Sequence, residues 1–146
     1  MNRQIIINDL VARIPYGVVV NCTDGDVQPI SVDFEMGYDN PEFWHDGPGS
    51  NINFDDDNIK PYLFPLSSMT EEQLKEMQEI IGNPNEACIS VNTSGLELWL
   101  NSIDTDPTIW LDTIFEVQDW LNRNHFDYRG LIPMGLANNA TGLNIY

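Results

Sequence analysis

The chain has 146 residues, and its 23 acidic residues outnumber its 6 basic residues to give a formal net charge of −17 at pH 7. Hydrophobic residues make up 42% of the sequence, so the chain has enough apolar material for a folded core despite its charge. No apolar run approaches the roughly 20 residues that cross a membrane, and few cations are present to neutralise nucleic-acid phosphates. We therefore expect one acidic α+β domain over 1–146 that enters no membrane and binds no nucleic acid directly.

The first residues favour an intracellular protein. The apolar stretch 5–7 is too short for a secretory signal, and no small-residue cleavage site follows it. Cys22 and Cys88 are expected to stay reduced, because a chain that forms its own core does not need a disulfide for stability.

Turn and strand patterns predict a hairpin near residues 16–34. Residues 9–13 are expected to form a brief helical turn that Pro15 ends. The β-branched run 16–21 and the alternating run 27–34 flank an Asp-Gly pair, which is typical of a hairpin turn.

The segment 35–53 has the composition of a long loop, because glycine and proline alternate there with aromatic residues. It lies in the acidic half of the chain, since no Lys or Arg occurs between Arg13 and Lys60. Long ordered loops with aromatic residues often bind partners, although the aromatic side chains could instead fold back onto the sheet. The candidate binding surface comprises Asp39, Glu42, Phe43, Trp44, Asp46, Asp55, Asp56 and Asp57.

Residues 70–81 carry the clearest helix pattern in the chain. Thr70 as N-cap and Gln73 three residues later form a capping box, and Gly82 suits the position after the helix. The apolar residues at spacings of three and four predict a face that packs on the core. These residues are Leu74, Met77 and Ile81.

Two further strand regions flank this helix. In the region 52–66, Pro61 and Pro65 restrict any strand to a sheet edge or require it to end before Pro65. The runs 87–92 and 96–101 are predicted to form a second hairpin.

A second long helix is predicted over 107–123, with Asp106 as N-cap and Pro107 in the first turn. The sequence therefore predicts an α+β fold in which an antiparallel sheet, built from both hairpins, is covered by two helices. The buried stripe of the second helix is expected to contain Trp110, Ile114, Val117 and Leu121, widened by Ile109, Leu111, Phe115 and Trp120.

The patterns for catalysis and metal binding are weak. The acidic run 55–57 offers oxygen ligands but lacks the spacing and the glycine of a calcium loop, which favours a solvated surface. His45 and His125 each lie near a carboxylate, but neither belongs to a nucleophile motif or a metal-ligand pattern. For His125 the alternative is a cap on the preceding helix, and Arg129 is expected to pair with a carboxylate. We assign no catalytic residue, metal or cofactor.

Three blocks resemble known sequences: LVARIPYG at 10–17, KPYLFPLSSMTEE at 60–72 and WLNRNHFDYRGLI at 120–132. They are similar to a family of small phage and prophage proteins of gut Bacteroidetes. The family usually has a basic residue at the position of Phe64, and its middle region varies, so the resemblance implies nothing about the acidic segment. The resemblance implies a mobile-element origin and a location in the cytoplasm of a bacterial host. It implies no activity and no site residues.

These patterns favour a non-enzymatic protein that binds a host macromolecule, such as a protein with a basic surface. A narrower hypothesis is nucleic-acid mimicry, in which spaced carboxylates compete for a DNA-binding cleft. The charge could instead serve only solubility. Two other classes stay open: a small metal-dependent hydrolase or nuclease that uses the aspartate run, and a phage structural or assembly component.

Overall fold

The computed structural model describes residues 2–23, 25–33, 42–45, 51–52, 59–82, 87–92, 95–100 and 107–146. Helices and sheets occur together, which confirms the predicted α+β class. The chain divides into two compact units, one made of Met1–Leu63 with Leu131–Tyr146 and the other of Phe64–Gly130. A compact unit need not fold alone, so the single domain over 1–146 stays a prediction.

The helices and strands are numbered in chain order. They are α1 (Asn2–Arg13), β1 (Val20–Cys22), β2 (Gly25–Val27), β3 (Pro29–Asp33), β4 (Glu42–His45), β5 (Asn51–Ile52), β6 (Lys60–Leu63), α2 (Glu71–Ile81), β7 (Ala87–Asn92), β8 (Gly95–Leu100), α3 (Pro107–Arg123) and β9 (Asn138–Asn139).

Helix α1 in the first unit is much longer than the brief turn predicted at 9–13, so that prediction is wrong. The helix includes the isoleucine run because Ile7 and Leu10, three residues apart, both lie in the core. A 3₁₀ turn follows the helix and ends at Gly17, whose φ is 72°. A larger residue there would be strained, and its Cβ would lie 2.8 Å from Nε2 of Gln28.

Asp9 and Arg13 form an ion pair inside this unit. Nε of Arg13 donates to Oδ2 of Asp9 at 2.8 Å, and Nη2 of Arg13 donates to Oδ1 at 3.2 Å. Both side chains are 0% exposed. Two charges are tolerated in the core because each compensates the other.

The first sheet has the strand order β2-β1-β6-β9. Strand β1 is antiparallel to β2 and β6, whereas β6 and β9 are parallel and place Tyr62 opposite Asn138. Strand β6 ends at Leu63, before Pro65, but it contains Pro61 and lies between β1 and β9, so the expectation that the prolines exclude a central strand is wrong. Val20 on β1 packs with Leu10 of α1, so the sheet and the helix share one core cluster.

A second sheet, with the order β3-β4-β5, occupies part of the segment predicted to be a loop. The prediction of an irregular 35–53 is therefore wrong for Glu42–His45 and Asn51–Ile52, because aromatic and β-branched residues pair there despite the nearby glycines and prolines. The predicted hairpin is also shorter than expected. Strand β1 pairs only with β2 on that side, and β3 joins the second sheet.

The side chain of Tyr146 joins two neighbouring strands of the first sheet. Its hydroxyl accepts a hydrogen bond from the Val19 N–H at 3.1 Å and donates one to the Tyr62 carbonyl at 2.7 Å. The Tyr62 N–H in turn donates to the Val19 carbonyl at 2.9 Å. The hydroxyl therefore takes the place of one bond in the β1–β6 ladder. Burial raises the pKa of Tyr146 to about 12.

We predict that Tyr146→Phe lowers the free energy of unfolding by about 0.5–1.5 kcal/mol at pH 7, because two backbone groups lose a partner that water can replace only in part at a residue that is 42% exposed. The pKa of Tyr146 is raised from 10.0 to about 12 on folding, so its contribution is complete below pH 10 and is lost as the pH rises towards 12. Urea unfolding at several pH values measures this. A wild-type minus Tyr146→Phe difference that stays constant from pH 9 to 12 would contradict it.

Helix α2 in the second unit confirms the helix that the sequence predicts over residues 70–81. The Thr70 side chain accepts from the Gln73 N–H at 3.2 Å, and Gln73 Oε1 accepts from the Thr70 N–H at 2.9 Å, which completes the capping box. Gly82 follows the helix with a φ of 81°. Met77 is buried in the core of this unit, and Leu74 and Ile81 pack against it.

Strands β7 and β8 pair with each other from Ala87–Leu100 to Asn92–Gly95, which confirms the second hairpin. They form a two-stranded sheet of their own. A single antiparallel sheet built from both predicted hairpins is therefore wrong. Each hairpin belongs to a different unit.

Helix α3 ends in a Schellman motif centred on His125, which has a φ of 58°. The His125 N–H donates to the Asn122 carbonyl at 3.1 Å, and the Phe126 N–H donates to the Leu121 carbonyl at 3.0 Å. Phe126 then stacks on Trp120, with ring centroids 5.7 Å apart. The chain turn predicted at His125 is therefore correct.

The buried face of α3 is narrower than predicted. Val117, Trp120 and Leu121 are buried, but Ile114 is 38% exposed and Phe115 is 63% exposed. Phe115 precedes Val117 by two residues, which places it about 200° around the helix from the core. The predicted cap Asp106 and the side chains of Ile109, Trp110 and Leu111 lie outside the described residues.

Candidate functional site

The described part of the predicted binding surface lies on β4, whose side chains alternate between core and solvent. Phe43 and His45 are buried, whereas Glu42 is exposed and Trp44 is half-buried. This alternation follows from the two-residue period of a strand. Phe43 is 0% exposed and packs in the first core cluster, so it belongs to the core and must be removed from the predicted surface.

Two carboxylates face each other on the solvent side of this sheet. The register of β3 and β4 places Asp33 directly opposite Glu42, and both residues are exposed. Like charges at directly opposed positions destabilise a strand pair. The stability of the sheet therefore does not explain why Asp33 and Glu42 are opposed.

Apolar side chains border the two carboxylates. Trp44 pairs with Ser31 on the same side of the sheet, and the register between Pro29 and Ser31 contains a bulge. Ile30 lies in this bulge and is 56% exposed. Bulges commonly redirect a side chain. We call the set Ile30, Ser31, Asp33, Glu42 and Trp44 the sheet face.

The structure thus retains two of the predicted surface residues, Glu42 and Trp44, and adds Ile30 and Asp33, which the sequence reasoning missed. Asp33 was missed because its partner Glu42 had been assigned to a loop. The remaining predicted surface residues lie outside the described residues. They are Asp39, Asp46, Asp55, Asp56 and Asp57.

Among the described residues, no group of three or more His, Cys, Asp or Glu side chains could hold a metal ion. His45 is buried, on the side of β4 opposite the exposed Glu42. The aspartate run 55–57 falls outside the described ranges, so the metal hypothesis for it stays a prediction.

A polar cluster on the first sheet has a structural role. Oδ1 of Asp26 accepts from Nδ2 of Asn21 at 2.8 Å and from the Tyr62 hydroxyl at 3.0 Å. Burial, followed by the hydrogen bond and the charge of Asp26, raises the pKa of Tyr62. The Tyr62 hydroxyl is therefore protonated at neutral pH and donates a hydrogen bond to Asp26. The two hydrogen bonds to Asp26 join strands β1, β2 and β6.

Arg129 lies over the ring of Tyr128, with its Cζ 5.1 Å from the ring centroid. Its predicted pairing with a carboxylate stays a prediction. Tyr128 also accepts a hydrogen bond from Nε2 of Gln118 at 3.0 Å, which ties the segment after α3 back to that helix.

Comparisons with known proteins place no further constraint on the site. Within the described residues, no helix is both long and apolar enough to span a bilayer. Searches against protein-family models, curated proteins and solved structures each found no match.

Proposed function

We propose that this chain is a non-enzymatic interaction protein that binds a host macromolecule with a basic surface through the sheet face. The observation that carries the proposal is the opposed pair Asp33 and Glu42 beside the partly exposed Trp44 and Ile30. The assignment to a phage or prophage of a bacterial host rests on the sequence resemblance alone.

The chemistry of the sheet face suits a cationic partner. A Lys or Arg side chain placed between Asp33 and Glu42 would remove their mutual repulsion, which is unfavourable in the free protein. An Arg beside them could also stack on the exposed part of Trp44. A partner that buries Ile30 would add a hydrophobic contribution.

The geometry of the sheet face supports the interaction function and does not test the two alternatives. The metal-dependent hydrolase depends on residues 55–57, outside the described residues, and no observation supports a phage assembly component. Nucleic-acid mimicry is the narrower form of the same proposal, in which the basic surface belongs to a DNA-binding cleft. A partner that duplex DNA displaces from the sheet face would support this narrower form.

The test compares variants of equal net charge. We predict that the Asp33→Asn, Glu42→Gln double variant associates several-fold more slowly with its partner at low salt, because exposed interfacial charges act mainly on the association rate. The same double variant should gain roughly 0.2–1 kcal/mol of stability, since the opposed charges are gone. The matched control is Glu71→Gln, Glu72→Gln on α2, whose two residues are exposed.

The measurement is capture from bacterial lysate followed by surface plasmon resonance of the captured protein at low and high salt. The triple variant Asp55→Asn, Asp56→Asn, Asp57→Asn extends the test to the rest of the predicted surface. An association rate that is independent of salt, and equal for wild type and all variants, would refute the proposal and leave solubility as the role of the charge.

A further inference from the structure

Helix α3 in the second unit presents a large apolar side chain to solvent. Phe115 is 63% exposed and its neighbour Ile114 is 38% exposed. Aromatic residues are weaker helix formers than the Glu, Lys or Ala that usually occupy exposed helical positions. The fold of α3 therefore does not explain a phenylalanine at this position.

The exposed side of α3 is acidic on one flank of Phe115. Asp112, Glu116 and Asp119 lie three residues before, one residue after and four residues after Phe115. At about 100° per residue this places all three on the same side of Phe115, whereas Ile114 lies on the other side. Arg123 is the cation at the end of this row, and its Nη2 already donates to Oδ2 of Asp119 at 2.6 Å. We call the set Asp112, Phe115, Glu116, Asp119 and Arg123 the α3 stripe.

The helix that packs beside α3 adds further negative charge. On α2, Glu76 and Glu79 are exposed, and Lys75 is the one cation among the described residues of that helix. The two helices belong to the same compact unit and their side chains share its core. A positively charged partner would therefore be attracted to this unit before contact.

We propose that the α3 stripe is a docking surface for a basic amphipathic helix of a partner protein. The apolar side of such a helix would cover Phe115 and Ile114, and its flanking Lys or Arg residues would face Asp112 and Glu116. The stripe runs for about 16 Å, since positions 112 to 123 are separated by 11 residues at about 1.5 Å each, and it covers about 100° of the helix circumference. These dimensions fit the ridge of a single helix.

Charge complementarity selects this occupant over a second copy of the chain. Each stripe carries three carboxylates and one cation, and the whole chain carries a net charge of −17, so two copies repel each other. An exposed Phe with charged residues beside it is also typical of a binding hot spot and its polar rim. The inference does not depend on the sheet face, which lies in the other unit.

The test uses two synthetic peptides of about 18 residues, long enough to form a helix on binding. One carries Leu on one side and Lys on the other, and the second has every Leu replaced by Ser, so the charge is identical. Fluorescence anisotropy gives both affinities for the full chain. We expect the Leu peptide to bind at least about 10-fold more tightly, because a central apolar anchor carries most of the binding energy in such contacts.

Two variants locate the binding. Phe115→Ser should abolish the preference for the Leu peptide without lowering the unfolding midpoint, because the side chain is mostly exposed. The sheet-face variant Asp33→Asn, Glu42→Gln should keep the preference. Equal binding of the two peptides, a preference that survives in Phe115→Ser, or dimerisation that Phe115→Ser removes would each overturn the docking surface. The proposed function of the sheet face is tested separately, by capture from lysate, so the two proposals can fail independently.

Discussion

Asp9→Ala should lower the free energy of unfolding by about 3–5 kcal/mol, which is a large share of the stability of a chain of this size. Arg13 is 0% exposed, and its Nε lies 2.8 Å from Oδ2 of Asp9. Removal of the carboxylate leaves the guanidinium charge inside the core without that compensation. The penalty comes from the cation that remains, more than from the attraction that is lost.

The control is the second i,i+4 pair, Asp119 with Arg123, whose side chains are 43% and 60% exposed. Asp119→Ala should cost no more than about 0.5 kcal/mol, because water screens the pair. The double variant Asp9→Leu, Arg13→Met should recover most of the lost stability, since neither charge is then buried. Urea unfolding of all three variants measures this. A double variant as unstable as Asp9→Ala would contradict the explanation.

Val117→Asp should destabilise the second unit by several kcal/mol. Val117 is 5% exposed and packs with Trp120 and Leu121 in the core of this unit. A carboxylate at that position would be buried without a partner, which is among the most damaging of single substitutions.

Ile114→Asp is the matched control, because it introduces the same charge on the same helix at a position that is 38% exposed. Its effect should be much smaller, since the new carboxylate can reach water. Urea unfolding followed by circular dichroism gives the midpoints, because the fluorescence of Trp120 overlaps with that of the other three Trp residues. Equal midpoints for wild type and Val117→Asp would show that the buried face of α3 is assigned incorrectly.

Local signals predicted the elements that carry their own start and stop residues. Helix α2 follows from its cap, because Thr70, Gln73 and Gly82 satisfy backbone groups within a few residues of themselves. The end of α3 was predictable for the same reason, because the turn at His125 satisfies backbone carbonyls of the same helix. The sequence did not reveal that β3 pairs with β4 rather than with β2. That pairing depends on the contact between Val32 and Phe43, which are far apart in the sequence.

The candidate site was predicted only in part, and the reason is strand register. Glu42 and Trp44 were recognised as surface residues by composition, but composition cannot separate the two faces of a strand. A shift of one residue would have exposed Phe43 and buried Trp44. The opposition of Asp33 and Glu42 becomes visible only once the pairing of β3 and β4 is known. The prediction that Phe115 is buried was wrong. When apolar residues occupy most of a helix, their pattern does not show which of them lie beyond the edge of the buried face.

The first unit is made of two separate segments, Met1–Leu63 and Leu131–Tyr146, and this affects the order in which the nascent chain folds. Strand β6 ends at Leu63, but its parallel neighbour β9 begins at Asn138. At about 5–20 residues per second, a ribosome needs roughly 3–13 s to synthesise the intervening second unit. During that interval β6 presents a free edge, and the hydroxyl that bridges Val19 and Tyr62 has not yet been made. The second unit can complete its own hairpin and helices in this time, whereas the first keeps an open strand until residues 138–146 have left the exit tunnel.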